Sequence, residues 1–164
     1  MRTDTKIHLP VLLLMAWAAV AHVGYAQQIA VQLNSGAPVH VVASDIAAMP
    51  HQKIAVDAHG KAVSFEGVPL RLVLEKAGVV FGNSMHSKKL TSYLLVEAAD
   101  GYRVVFALPE LDPEFTDRVI LLADRADGRP LDSKDGPFRI VVPGEKRMAR
   151  WVRQVTGLKV VELP

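Results

Sequence analysis

The chain has 164 residues, of which half are apolar and 22% are charged. This length predicts one domain, and the composition excludes a disordered or low-complexity chain. The sequence contains no cysteine, which excludes disulfides, thiolate metal sites and cysteine nucleophiles. With 19 basic and 17 acidic residues, the charge is nearly balanced, so it does not favour nucleic acid as a partner.

Residues 1–26 have the pattern of a secretory signal peptide. Two basic residues precede an apolar run from Leu9 to Val20, and small residues lead to a cleavage point after Ala26. This run is shorter than the roughly 20 apolar residues that a membrane span needs, although an uncleaved anchor is the alternative. We therefore expect a signal peptide at 1–26, a mature domain at 27–164, a periplasmic or secreted location, and no membrane span after cleavage.

The mature chain has the pattern of many short strands. Apolar alternation and a continuous apolar run predict strands, and Asp100-Gly101 is the clearest hairpin turn. In chain order the predicted strands cover residues 29–33, 39–42, 54–56, 62–65, 91–98, 102–108, 119–123, 138–142 and 151–163.

Helical spacing is rare in this sequence. One helix is expected after Pro69, where apolar residues recur every three or four positions and Gly78 suits the C-terminal cap. A single helical turn is expected before Pro50, with Ser44 or Asp45 as its cap. Together these elements predict one mixed α/β domain of the α+β kind with a mostly β core.

Outside one basic cluster, the titratable side chains show no spacing that indicates a catalytic or metal site. The four histidines beyond the predicted signal lack the spacing of zinc sites. One alternative is a weak copper-type cluster formed by Met49, His51, Asp57 and His59, but solvated turn histidines are the favoured interpretation. The acidic connection between strands is likewise expected to be solvated surface. The histidines are His40, His51, His59 and His86, and the acidic residues are Glu110, Asp112, Glu114 and Asp117.

A basic cluster follows Pro143-Gly144. Four cations and one carboxylate lie between Glu145 and Arg153, and arginine guanidinium groups match the geometry of phosphate oxygens. This pattern indicates a site for an anionic small ligand, whereas the alternative is a solvated basic turn. Trp151, inside the cluster, is expected either to support a planar ligand or to pack in the core. The cations are Lys146, Arg147, Arg150 and Arg153.

Three segments together resemble the molybdopterin-binding domain of the sulfite oxidase type. They are Phe65–Val79, Asp127–Leu131 and Asp135–Gly144, the last running into the basic cluster. Their order and spacing match the family over about residues 30–163. The resemblance implies a single-domain sulfite oxidase-type fold with a largely β core. It also implies a molybdopterin cofactor whose dithiolene holds molybdenum, with one further sulfur from a protein cysteine.

The cysteine that this resemblance implies is missing. Counting back from Gly67 places it near Ala55, and no residue around Ala55 is a soft ligand. We therefore expect an exported, oxidoreductase-like domain that lacks ordinary molybdenum catalysis, has no metal ligand, and binds a ligand or an envelope protein partner. One alternative is an active molybdopterin-dependent oxidoreductase that holds the pterin without a protein thiolate. Another is an accessory subunit of an envelope complex.

The resemblance also suggests which side chains would contact the cofactor. Lys146, Arg147 and Arg150 would bind the phosphate of the pterin, with Arg103 nearby. Whether the chain is an enzyme stays open at the level of sequence, and no catalytic residue can be named from it.

Overall fold

The computed structural model describes residues 27–58 and 60–163. The predicted signal peptide and His59 lie outside the described residues, so they remain predictions. In chain order the strands and helices are β1 Gln28–Leu33, β2 Val39–Val42, α1 Ala43–Ala48, β3 Gln52–Ala58, β4 Lys61–Pro69, α2 Leu70–Lys76, β5 Tyr93–Ala98, β6 Arg103–Ala107, β7 Leu121–Ala126, β8 Arg129–Pro130, β9 Arg139–Val141 and β10 Val155–Val161.

The strands form two sheets, which confirms the predicted mostly β architecture. The first sheet has the order β2-β1-β10-β5-β6, and the second has the order β3-β4-β7-β8, with β9 also paired to β7. In the first sheet β1 runs parallel to β10, whereas the other pairs there are antiparallel. Strands from the two ends of the chain therefore lie side by side.

Both expected helices are present, and only the cap of α1 differs from the prediction. The helix α2 begins after Pro69, and Gly78 beyond its end has φ +99°, a backbone conformation that glycine adopts without strain. The expected cap on α1 is wrong, because its N-cap residue is Val42 and no side chain bonds the first turn. Neither helix in the described part of the chain is long and apolar enough to cross a membrane.

Two predicted strands are shifted along the chain. The strand expected at 119–123 begins later, at Leu121, and continues to Ala126. The strand expected from Trp151 begins only at Val155, because Met148–Arg150 forms a short 3-10 turn that places Trp151 before the strand. Apolar content marked both segments correctly, but apolar content alone does not locate the ends of a strand.

One glycine is required by close backbone contact. Gly67 lies at the register shift between β4 and β7, and a Cβ added there would lie 2.2 Å from the carbonyl oxygen of Leu122. Only a residue without a side chain fits at this distance. The glycine of the segment Phe65–Leu70 is therefore a packing requirement of the second sheet.

A single apolar core joins both sheets and α2. Ile29 and Leu158 from the first sheet, Leu121 and Ile140 from the second, and Leu74 from α2 are all almost completely buried. Phe65 on β4 and Trp151 before β10 meet edge to face, with 5.9 Å between ring centroids. This contact anchors the basic cluster to the hydrophobic core.

Candidate functional site

The basic loop is fastened to the fold through Arg150. Its Nε donates a 2.7 Å hydrogen bond to Glu145 Oε1, and its Nη1 lies 3.3 Å from the carboxylate of Glu110. Arg118 Nη2 donates to the same Glu110 carboxylate at 2.9 Å. The Arg150 guanidinium also stands 4.5 Å from the ring centroid of Phe106. Two arginines and two glutamates thus form one network beneath the loop.

The charges within this network balance one another. Burial opposes the positive charge of Arg150, but its hydrogen bond to the Glu145 carboxylate and the charges of Glu110 and Glu145 outweigh it, so its pKa is raised. Arg150 therefore stays protonated with both of its carboxylate partners in place. A ligand anion would have to displace a partner to reach this guanidinium.

Unlike Arg150, Lys146 and Arg147 face solvent and have no carboxylate partner among the described residues. They line a cleft of about 470 Å³ together with Asp57, Gly60 and Glu145. Gly144, which precedes them, has φ +80° and so allows the sharp turn of the loop. These two cations are available to an anion.

Arg103 does not line the cleft that Lys146 and Arg147 line. On β6 the residues alternate, with Val104 and Phe106 buried and Arg103 exposed. Since Arg150 stands over Phe106, Arg103 points to the other face of the sheet. There its Nε donates to Glu97 at 2.8 Å. The structure brings Lys146 and Arg147 to one cleft, turns Arg150 inward, and places Arg103 elsewhere.

A half-buried arginine that the sequence pattern did not indicate as a site residue, Arg139, lies beside the loop. The Arg139 guanidinium is 5.1 Å from the Phe65 ring and 5.8 Å from the Trp151 ring, and it pairs with Asp135. Burial lowers the pKa of Arg139, and Asp135 offsets part of this effect. The sequence feature that could have indicated this ion pair is the four-residue spacing of Asp135 and Arg139 around Gly136-Pro137.

This arginine borders a second cleft, of about 560 Å³. Arg139 Nε and Trp151 Nε1 are both buried without a hydrogen-bond partner, while Arg153 at the rim is 61% exposed. Trp151 itself is only 5% exposed, so of the two roles expected for it, the structure places it in the core. The two clefts share Met148 and therefore flank the same short turn.

The position expected for the molybdenum ligand lies on β3. Ala55 is exposed and pairs with Ser64 in an uninterrupted antiparallel ladder from Gln52 to Ala58. The nearest carboxylate along the strand is Asp57, whose Oδ1 accepts the Gly60 N–H at 2.5 Å. In the described part of the chain no three His, Cys, Asp or Glu side chains group as metal ligands. The donor set does not fit molybdenum held by a protein sulfur.

His51, which lies just before β3, has one partner near it in the sequence and one distant partner. His51 Nδ1 lies 2.8 Å from the carbonyl oxygen of Met49, and its Nε2 lies 3.3 Å from Asp124 Oδ2. Because a carbonyl oxygen only accepts, Nδ1 carries a proton. His51 thus joins β3 to β7 and is not a solvated turn residue as expected.

The acidic connection differs from the expectation in a similar way. Asp112 is 0% exposed, and its two oxygens accept the N–H groups of Gly82 and Glu114 at 2.7 and 3.0 Å. Glu110 pairs with Arg118 and Arg150. Half of this acidic run is therefore structural, and the prediction of a solvated surface was wrong for Asp112 and Glu110.

Comparison with known proteins agrees with this architecture. The family model described as the oxidoreductase molybdopterin-binding domain matches residues 25–164. The solved structure of the sulfane dehydrogenase SoxCD from Paracoccus pantotrophus superposes with a TM-score of 0.64 over 83% of this chain at 20% identity. The chain spans 38% of the length of that neighbour, and the likeness shows the fold. No match was found among curated proteins.

Proposed function

The chain belongs to the oxidoreductase molybdopterin-binding domain family, and from this premise we propose that it is an exported ligand-binding member without ordinary molybdenum catalysis. The observation that carries the proposal is the exposed methyl group of Ala55 at the position expected for the family's cysteine. A methyl group offers no electron pair to a metal, and Asp57 beside it supplies only hard oxygen ligands.

The ligand that the loop favours is a small molecule with an anionic group. Lys146 and Arg147 can make charge-assisted hydrogen bonds to phosphate or carboxylate oxygens. Asp57 and Glu145 line the same cleft and would repel a second negative charge, so they favour a ligand that also carries N–H or O–H donors. Molybdopterin carries a phosphate, and a metal-free pterin is one ligand of this class.

The proposed place of action is the periplasm or the medium. It rests on the signal-peptide pattern of residues 1–26. There the domain would bind its ligand alone or together with an envelope protein. The alternative of an accessory subunit predicts a stable complex in a native extract, whereas the ligand-binding role does not require one.

Calorimetric titration with glycerol phosphate, which carries one phosphate group and two hydroxyl donors, tests the anion site. The Lys146→Glu/Arg147→Glu double variant should weaken binding about tenfold or more, because two charge-assisted bonds are replaced by repulsion. The Arg125→Glu/Arg129→Glu double variant is the matched control, since it makes the same change of charge at two exposed residues of β7 and β8 that do not line this cleft. Equal loss in both variants would mean that only net charge matters and would refute the site. Unchanged binding in the Lys146→Glu/Arg147→Glu variant would refute it as well.

A further inference from the structure

The strand β3 has an open edge. It is the outermost strand of the second sheet, and seven residues long. Within the described residues, the backbone of this strand is hydrogen-bonded only to β4. An open strand of this length is a template for pairing with another chain.

The register of β3 shows which backbone groups face that edge. Ser64, which lies opposite Ala55, donates its N–H to Asp127 Oδ1 at 2.9 Å and accepts the Asp127 N–H at 2.8 Å. The backbone groups of Ser64 therefore point toward β7 and away from β3. Ala55 and Ser64 are thus a pair without backbone hydrogen bonds between them. In an antiparallel ladder, pairs of this kind alternate with hydrogen-bonded pairs. The N–H and C=O groups of Ala55, and those of Lys53 and Asp57 two residues away on either side, thus face the open edge.

The charges of Lys53 and Asp57, placed symmetrically about Ala55, are complementary to those of a second copy of β3. If a second β3 pairs antiparallel about a two-fold axis at Ala55, Lys53 of each copy lies opposite Asp57 of the other. Directly opposed residues have Cβ atoms about 5 Å apart, so these opposite charges attract. The two Ala55 methyl groups meet at the axis without bulk. Lys53 is 62% exposed, and its Nζ lies 3.8 Å from Glu66 Oε2, so the facing Asp57 would have to share this lysine with Glu66 or replace it in a solvent-exposed pair.

The other face of β3 complements itself too. The same register places Ile54 of one copy opposite Val56 of the other, and both side chains are half-buried at the edge of the core. One face of the pairing would therefore bring together apolar side chains while the opposite face brings together charges. We propose that two copies of this chain associate through β3, in antiparallel register about Ala55, to make one continuous sheet.

The other outer strands are less suited to this role. The strand β2 has four residues and β8 has two. On β6 the Ala107 N–H is already bonded to Glu110 Oε1 at 3.0 Å, which blocks one end of that edge. Among the strands described here, β3 is the longest open edge, and it carries a charge pattern that attracts a second copy instead of repelling it.

A cysteine cross-link tests the register directly, because the natural sequence contains no cysteine. Residues opposed in a hydrogen-bonded antiparallel pair have Cα atoms about 5.5 Å apart, within disulfide range. Ala55→Cys should therefore oxidise to a covalent dimer on a non-reducing gel. Ala62→Cys, which is exposed on the neighbouring strand β4, is the matched control and should stay monomeric under the same oxidant.

Light scattering after size exclusion, over a dilution series of the purified protein, measures the association itself. The wild type should be dimeric at high concentration, and Asp57→Lys should raise the dimer dissociation constant about tenfold or more, since it places lysine opposite lysine. Ala55→Pro should also dissociate the dimer, because it removes an N–H that faces the open edge and leaves the β4 bonds intact. If one variant fails to fold by circular dichroism, the other supplies the result.

Three outcomes would overturn the proposal. The first is a wild type that is monomeric at every concentration. The second is a dimer in which Ala55→Cys cross-links no faster than Ala62→Cys, because the interface would then lie elsewhere. The third is a folded Asp57→Lys or Ala55→Pro variant that dimerises as tightly as the wild type.

Discussion

Arg150 Nε donates a 2.7 Å hydrogen bond to Glu145 Oε1, so the basic loop supplies its own counter-charge. Glu145 is only 13% exposed, and Glu110 adds a second carboxylate to the same guanidinium. The loop consequently has two parts with different roles. Arg150 holds the loop on the fold, whereas Lys146 and Arg147 face solvent at a cleft.

The anchoring role of Arg150 predicts a loss of stability when the side chain is removed. Arg150→Ala should lower the free energy of unfolding by about 1–3 kcal/mol, because two partly buried carboxylates lose their partner. Urea denaturation measures this change. Arg147→Ala is the control and should change stability by less than about 0.5 kcal/mol, as exposed substitutions usually do. Equal effects of the two variants would contradict the division of the loop.

The core position of Leu74 gives a second prediction. Leu74 is 0% exposed, and Leu74→Ala should lower stability by about 2–5 kcal/mol through lost burial and a residual cavity. Val105, which is 49% exposed, provides the comparison, since Val105→Ala should have little effect. A thermal or urea melt in which Leu74→Ala behaves like Val105→Ala would refute the placement of α2 on the core.

Phe65 gives a third prediction with a spectroscopic readout. Phe65→Ala should cost about 3–5 kcal/mol, because the ring supports both Trp151 and the Arg139 guanidinium. Trp151 is the only tryptophan beyond the predicted signal peptide, so its fluorescence reports on this contact. We expect a red-shifted emission in the folded variant as water reaches the indole. An unshifted spectrum would show that Phe65 does not shield Trp151.

Gly67 gives a fourth prediction. Gly67→Ala should destabilise the protein by about 3 kcal/mol or more, since the new methyl group would overlap the backbone of β7. At Gly157 an added Cβ meets only the Glu97 side chain, with Oε2 at 3.2 Å and Cβ at an ordinary contact distance of 3.5 Å, and the carboxylate can move. Gly157→Ala should therefore cost less. If Gly157→Ala lowered the unfolding midpoint more than Gly67→Ala did, this would contradict the close approach of β4 to β7.

Much of the fold could be predicted from local signals. The glycines at positions 78 and 101 have the positive φ angles that their turns required, and Pro69 precedes α2 as expected. The strand ends at Val155 and Leu121 could not be predicted in this way. They depend on the turn at Met148–Arg150 and on pairing with distant strands, which apolar periodicity does not encode.

The site was predicted in outline but not in its internal pairing. The sequence placed four cations near one another, and nothing in their spacing showed that Arg150 would pair with Glu110, which lies 40 residues earlier. The burial of Arg139 between Phe65 and Trp151 depends on contacts between residues far apart in sequence. Long-range ion pairs of this kind emerge only when the strands are assembled.

The most direct test of the central claim is the molybdenum and pterin content of the purified protein. The full chain should be expressed in a host that makes molybdopterin, and metal should be measured by mass spectrometry and pterin by fluorescence after acid release. We predict no stoichiometric molybdenum, whether or not pterin is present, because the position of Ala55 offers no sulfur to the metal. One molybdenum atom per chain would contradict the proposed loss of ordinary molybdenum chemistry.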